Sequence, residues 1–281
     1  VGIIMDGKKI AEGIRAKLAE EIRKIEAEKA VKPTLATIIV EGDPSSAAYV
    51  KNKEKVCIQT GLGSVTYNLP MNTKEEDLIR LIEELNIRKD IHGILVQVPL
   101  PKHINENKIA SIIDYRKDVD CFNPENAGRL FRGEKCLLPC TPKGIIRLIK
   151  AYGIEISGKK AAVVGRSNIV GKPCAMMLLN NNATVTICHS KTFNLKSQLL
   201  ECDIIVSAVG KPGLITADMV KEGAVVIDAG TTMVDGKLKG DVDFEKVLEK
   251  ASYITPVPGG VGAMTTTMLI ENVLEAFNNY E

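Results

Sequence analysis

An apolar run ending in Val163-Val164 enters Gly165-Arg166-Ser167-Asn168-Ile169-Val170-Gly171-Lys172-Pro173, a small-residue turn that leads into a helix. Amides left unpaired at a helix start, aligned with the helix dipole, can hold an anion such as phosphate without any side-chain charge. The spacing of Gly165, Ser167 and Gly171 departs from G-x-G-x-x-G at its second glycine. Alone it is a weak signal, and the other reading is a strand-to-helix turn that uses glycine for its backbone freedom. Where an NAD site places an Asp or Glu on the ribose, about 20 residues further on, the chain instead has Cys188-His189-Ser190-Lys191-Thr192. With Arg166 inside the turn, these donors and charges suit a 2′-phosphate and favour NADP over NAD. A second group of polar residues lies in the first half. Tyr49 and Lys53 are four residues apart on a predicted helix and share a face. They are either a surface tyrosine lying on a lysine stem, or a flat ring that stacks on a ligand beside an amine that moves protons. Gln97 sits at the edge of a very apolar strand, and Asp118-Val119-Asp120 follows a short helix with nothing evident to neutralise it; both are polar groups in places that want partners.

The elements that must position these residues alternate along the chain. Residues 183–188, 203–210 and 224–230 are short apolar runs closed by glycine or polar residues, as expected of parallel strands buried on both faces. The first half predicts a helix over 7–29, a strand over 35–40, and a polar turn at 41–45. A helix to about residue 60 follows, ended by Gly61 and Gly63, then a strand over 64–68. A helix over 74–85 has Leu78, Ile79, Leu81 and Ile82 on its buried side, and a core strand covers 92–98. Both halves are therefore α/β with parallel sheets, whose ligands gather at the carboxyl ends of the strands.

A chain of 281 residues, 45% apolar and 26% charged, can bury a sizeable core in one or two domains. Its net charge of +2, without a basic tract interleaved with aromatics, points away from nucleic acid. No apolar stretch approaches the ~20 residues of a membrane span, and no signal-peptide pattern opens the sequence, so the expectation is a cytoplasmic protein. Seven scattered cysteines, an odd number, read as free thiols. Cys136 and Cys140 lack the second pair that a zinc site needs, and three histidines supply neither a metal site nor a catalytic triad well; no metal is expected.

Together these blocks resemble one family: the bifunctional methylenetetrahydrofolate dehydrogenase/methenyltetrahydrofolate cyclohydrolases of the bacterial FolD type. The resemblance runs through Tyr49-Val50-Lys51-Asn52-Lys53-Glu54-Lys55, Gly93-Ile94-Leu95-Val96-Gln97-Val98-Pro99-Leu100-Pro101 and Lys117-Asp118-Val119-Asp120. It continues through Pro139-Cys140-Thr141-Pro142, the turn from Gly165 to Pro173, and Thr255-Pro256-Val257-Pro258-Gly259-Gly260-Val261-Gly262. It implies NADP-dependent oxidation of 5,10-methylenetetrahydrofolate and hydrolysis of the methenyl product to 10-formyltetrahydrofolate, a one-carbon donor for purine biosynthesis. It implies that Lys53 carries the proton traffic of hydrolysis, with Gln97 bonded to it and Tyr49 stacked beside the folate. Nearby Lys51 and Lys55 and a cationic substrate would favour a neutral Lys53. Asp120 would pair with the pterin's donors, and Pro258, Gly259 and Gly260 would fold beside the folate, though each glycine could instead serve turn chemistry. Gly165, Arg166, Ser167, Gly171, His189, Ser190 and Lys191 would hold the cofactor.

The architecture so implied is a catalytic domain of residues 1–140 plus 262–281, a Rossmann-type NADP domain of residues 141–261, the active-site cleft between them, and a homodimer through the nucleotide domain. Thr141-Pro142 reads as an N-cap and N1 proline opening a helix. Two residues depart from the family's usual pattern: Cys121 where glycine is common after Asp120, and Ala263 where proline commonly follows Gly262. The alternatives are a monofunctional methylenetetrahydrofolate dehydrogenase, a two-domain dehydrogenase of shikimate type, and a nucleotide-binding regulator without turnover.

Overall fold

The computed structural model describes the backbone of residues 1–42 and 44–280, and the side chains outside 43–50 and 280–281. The chain divides into two compact units, Gly13–Cys140 with Thr266–Glu281, and Val1–Glu12 with Thr141–Thr265.

In the first unit the apolar strand Thr34–Val40 lies at the centre of a three-stranded parallel sheet. Gly63–Leu69 flanks it in register from Thr34↔Gly63 to Val40↔Leu69, and Gly93–Val96 from Leu35↔Gly93 to Ile38↔Val96. Helix Glu75–Ile87 carries three acids in its first turn, which complement the helix dipole. It buries Leu78, Ile82 and Leu85, spaced one turn apart, against Ala36, Ile38, Ile94 and Val96. Ile79 and Leu81, expected on the buried side, are only partly covered, because the inward stripe runs 78, 82, 85. Gly93 must be small: a Cβ there would meet Val119 Cγ1 at 2.7 Å and Val273 Cγ2 at 3.0 Å. The C-terminal helix Val261–Tyr280 supplies that valine and the buried Asn272, whose amide donates to the carbonyls of Val119 and Leu138 at 2.8 Å each.

The second unit is a six-stranded parallel sheet in the order Ile3–Ile4, Tyr253–Ile254, Val225–Asp228, Ile204–Ser207, Lys160–Val164, Thr184–Cys188. A hairpin of Thr232–Val234 with Lys237–Lys239 turns through Asp235 and Gly236, both at positive φ, the conformation that favours a tight two-residue hairpin turn. Residues 1–12, expected with residues 13–140, pack here instead. Ile3–Ile4 extends the sheet beside Tyr253–Ile254, and the amides of Gly2 and Met5 donate to Leu248 and Ile254 at 2.7 Å each. A two-residue strand carries no periodicity to reveal it. The boundary expected at 262 falls at Thr265, because the first turn of the last helix packs with this unit. Helix Cys140–Ala151 begins one residue before Thr141, so Thr141 lies in its first turn rather than capping it, with its hydroxyl 3.0 Å from that of Thr265. Among the described residues no helix is long and apolar enough to cross a membrane.

Candidate functional site

Gly165 leaves the strand Lys160–Val164 at φ +127°, where a Cβ would lie 2.5 Å from the carbonyl of Ala208. A Cβ on Gly171 would lie 2.3 Å from the carbonyl of Gly165 and 2.8 Å from the amide of Arg166. Both glycines are thus required by close backbone approach, and the turn is drawn tight against the start of helix Gly171–Asn180.

Ser167 changes the expected picture of the helix start. Its hydroxyl oxygen accepts the amides of Val170 and Gly171 at 3.1 and 3.2 Å, and its carbonyl accepts that of Lys172 at 3.0 Å. The first helical amides are therefore satisfied within the turn. Among the described residues, it is the amides of Arg166, Ser167, Asn168 and Ile169 that carry no hydrogen bond. Ser167 retains its own hydroxyl proton to donate.

The basic group comes to the same place because Val164 pairs with Cys188, so the two strands end side by side and the amide of Gly165 donates to the carbonyl of Cys188 at 2.9 Å. A tight turn follows: the His189 amide donates to the Thr192 hydroxyl and the Thr192 amide to the His189 carbonyl, both at 2.8 Å. The Lys191 amide donates to His189 Nδ1 at 3.1 Å, which leaves Nε2 to carry the proton of the neutral ring. Arg166, Ser190 and Lys191 are exposed. The glycine turn accepts close approach by an anion and the strand end beside it offers donors, so these residues fit a phosphorylated dinucleotide.

In the first unit, Lys53 lies on helix Pro44–Thr60 and donates from Nζ to Gln97 Oε1 at 3.0 Å. Gln97 continues the ladder past strand Gly93–Val96 through its amide, which donates to the Ile38 carbonyl at 2.9 Å. Its side-chain NH2 donates to the carbonyl of Val98 at 2.8 Å, which fixes the oxygen toward Lys53. The Tyr49 side chain lies outside the described residues.

Asp118 pairs in parallel with Ile94 and is 1% exposed. Burial pushes its carboxyl up to about 6, against the hydrogen bonds it accepts from the Asn123 amide at 2.7 Å and the Asn126 side chain at 3.3 Å. Those two asparagines are the partners the sequence left unnamed. Asp120, two residues on and half-buried, lines a small pocket together with Asp118, Val96, Val98, Leu100 and Ile109. Val96 and Val98 flank Gln97, so both polar groups gather at the carboxyl end of one sheet. Cys121 adopts φ +60° with its amide donating to the Asp118 carbonyl at 3.1 Å, a left-handed position that explains a preference for glycine there.

Pro258, Gly259 and Gly260 belong to the second unit. The Gly259 carbonyl accepts the Lys8 amide at 3.0 Å, and a Cβ on Gly260 would meet the Pro256 carbonyl at 2.6 Å. The loop closes on Gly7, where a Cβ would sit 2.1 Å from the Gly260 carbonyl. Ala263 stands in the first turn of a helix, where proline is equally tolerated.

A doubly wound parallel sheet with a glycine turn on its switch strand defines a Rossmann-type dinucleotide-binding protein, here joined to an α/β unit that carries an amine, an amide and two carboxyls. The chain belongs to the tetrahydrofolate dehydrogenase/cyclohydrolase family: the family's NAD(P)-binding domain matches residues 139–281 and its catalytic domain residues 5–120. It is 55% identical over 275 residues to the bifunctional protein FolD of Clostridium novyi, covering 98% of this chain and 99% of that one. The crystal structure of the Campylobacter jejuni bifunctional enzyme FolD superposes with a TM-score of 0.98 at 45% identity, covering 100% of each chain. The Trypanosoma brucei enzyme, complexed with NADP cofactor and inhibitor, gives 0.95 at 40% identity, over 99% of this chain and 98% of that one.

Proposed function

We propose that this chain oxidises 5,10-methylenetetrahydrofolate to the methenyl form with NADP and hydrolyses that product to 10-formyltetrahydrofolate. The observation that carries the second activity is the Lys53–Gln97 hydrogen bond, with the amide turned so that its oxygen holds the amine. Relatives at this level of identity bear the name of a bifunctional protein.

NADP, when bound, accepts the hydride that leaves the methylene carbon. That carbon lies between two nitrogens whose lone pairs stabilise the cation, so the protein's part in oxidation is to hold and orient. Gly165 and Gly171 let the phosphates approach the turn closely, its amides at residues 166–169 and the Ser167 hydroxyl donate to them, and Arg166, His189, Ser190 and Lys191 receive the 2′-phosphate, which favours NADP over NAD. Asp120 accepts the fork of donors on the pterin, Tyr49 stacks beside it, and Pro258, Gly259 and Gly260 allow close approach of backbone to the folate.

In hydrolysis, water attacks the methenyl carbon and its proton passes to Nζ of Lys53. The hydroxyl left on the carbon gives its own proton to solvent as it becomes the formyl carbonyl, and the carbon–N5 bond breaks as Lys53 returns the first proton to N5, leaving the formyl group on N10. Gln97 Oε1 holds the amine through both transfers.

The outer edge strand Thr184–Cys188 and the exposed Leu179, Ile187, Phe193 and Leu200 support a homodimer through the nucleotide unit, which sedimentation would detect. The seven free cysteines support a reducing compartment such as the cytoplasm.

The test is NADPH production from 5,10-methylenetetrahydrofolate, run beside NAD and followed for methenyl accumulation. Reduction of NADP with little methenyl build-up, after correction for spontaneous hydrolysis, is expected. Accumulating methenyl would identify a monofunctional dehydrogenase, and no folate-dependent reduction would reject the folate reading.

A further inference from the structure

Asp228 and Asp241 are buried together at the carboxyl ends of the nucleotide unit's strands. Asp241 Oδ2 accepts the Ser207 hydroxyl at 2.9 Å and the Val209 amide at 2.8 Å, and its Oδ1 accepts the Lys211 amide at 2.7 Å. Asp228 in turn accepts the Asp241 amide at 3.0 Å, the Gly230 amide at 2.9 Å and the Val242 amide at 2.9 Å. Neither carboxyl has room to move: a Cβ on Gly240 would lie 2.0 Å from Asp228 Oδ2, and one on Gly230 would lie 2.2 Å from Asp241 Oδ1.

The loop so held occupies a particular place. From Lys160–Val164 the chain goes to Thr184–Cys188 on one side and returns to Ile204–Ser207 on the other, which makes the ends of Val164 and Ser207 the switch point where a dinucleotide lies. The Gly165 turn is one wall of that crevice. Residues 208–210 are the other, with the Ala208 carbonyl abutting Gly165 and with Val209 and Gly210 exposed.

We propose that Asp241, seated on Asp228, is a positioning residue for NADP: it fixes residues 207–211 as the second wall of the crevice and so sets cofactor affinity without touching cofactor or folate. This rests on the NADP reading of the unit. Only a carboxyl serves, since three donors converge on its two oxygens. Asparagine would offer one oxygen and turn an NH2 toward a donor.

The experiment is calorimetric titration of NADP into wild type, Asp241→Asn and Ser207→Ala, beside hydrolysis of supplied 5,10-methenyltetrahydrofolate without NADP. Asp241→Asn is expected to raise the NADP Kd about tenfold or more and Ser207→Ala about threefold, from the loss of one or two buried hydrogen bonds. KM for NADP should rise with Kd while kcat at saturating NADP and methenyl hydrolysis stay within about twofold, a split that general damage to the fold would not produce. An unchanged Kd in a folded Asp241→Asn protein, or hydrolysis falling by the same factor, overturns the proposal. Should Asp241→Asn not fold, Ser207→Ala decides: a raised Kd supports the role and an unchanged one rejects it. Wild type that binds no NADP would instead overturn the reading of the whole unit, and this role with it.

Discussion

Asp118 offers a test of how this protein handles a buried acid beside its candidate site. Burial holds its carboxyl at about 6 in the folded chain, against an ordinary 3.8. At 1.36 kcal/mol per tenfold, that gap makes ionising the folded residue costlier than ionising the unfolded one by about 3 kcal/mol. The sign follows from where protons are held. Below 3.8 both states keep the proton and there is no penalty. As pH rises from 3.8 to 6 the unfolded chain releases it first, so stability falls, and above 6 the full cost is in place. Asp118→Asn keeps an oxygen for the Asn123 amide and never ionises. Urea unfolding of wild type and variant at matched pH should therefore show wild type losing about 2 kcal/mol of that relative to the variant between pH 4 and pH 7, with all other titrations cancelling in the difference. A difference that is flat with pH, or one that moves in favour of wild type as pH rises, would refute the reasoning; the latter would mean that the hydrogen bonds outweigh burial and hold the carboxylate as an anion.

Gly171→Ala places a methyl against the backbone of Gly165 and Arg166. It should cost about 1–3 kcal/mol of stability by overpacking and weaken NADP with it, read by thermal melts and calorimetry. Arg166→Ala removes a charged donor proposed for the 2′-phosphate, so NADP Kd should rise about tenfold while NAD Kd stays unchanged; equal effects on both would place Arg166 elsewhere on the cofactor.

Much of this was legible in sequence because the two signals that survive tertiary context were strong. The apolar runs at 35–40 and up to Val163-Val164 mark strands buried in parallel sheets, and the 7–29 helix is periodic enough to be bounded at both ends. The glycines at 165 and 171 marked a strand-to-helix turn, and the structure supplies the atoms that a Cβ at either would strike. What was not legible is long-range. Ile3–Ile4 is too short to show a pattern, and its partner Tyr253–Ile254 is 250 residues away. Ser167 looked like a phosphate ligand and also satisfies the helix amides, which only the turn's geometry reveals. Asp118 looked unneutralised because its partners, Asn123 and Asn126, are ordinary asparagines in sequence. Asp241 gave no signal at all, since nothing in its neighbourhood distinguishes an acid that collects three donors from one on the surface.

The central claim is that one amine serves hydrolysis and is dispensable for oxidation. Lys53→Met keeps most of the apolar stem and removes the amine that bonds Gln97. Assayed with NADP and 5,10-methylenetetrahydrofolate, the variant should still reduce NADP at a rate near wild type while methenyltetrahydrofolate accumulates and decays only at its spontaneous rate. Oxidation and hydrolysis falling together by the same factor would contradict the account.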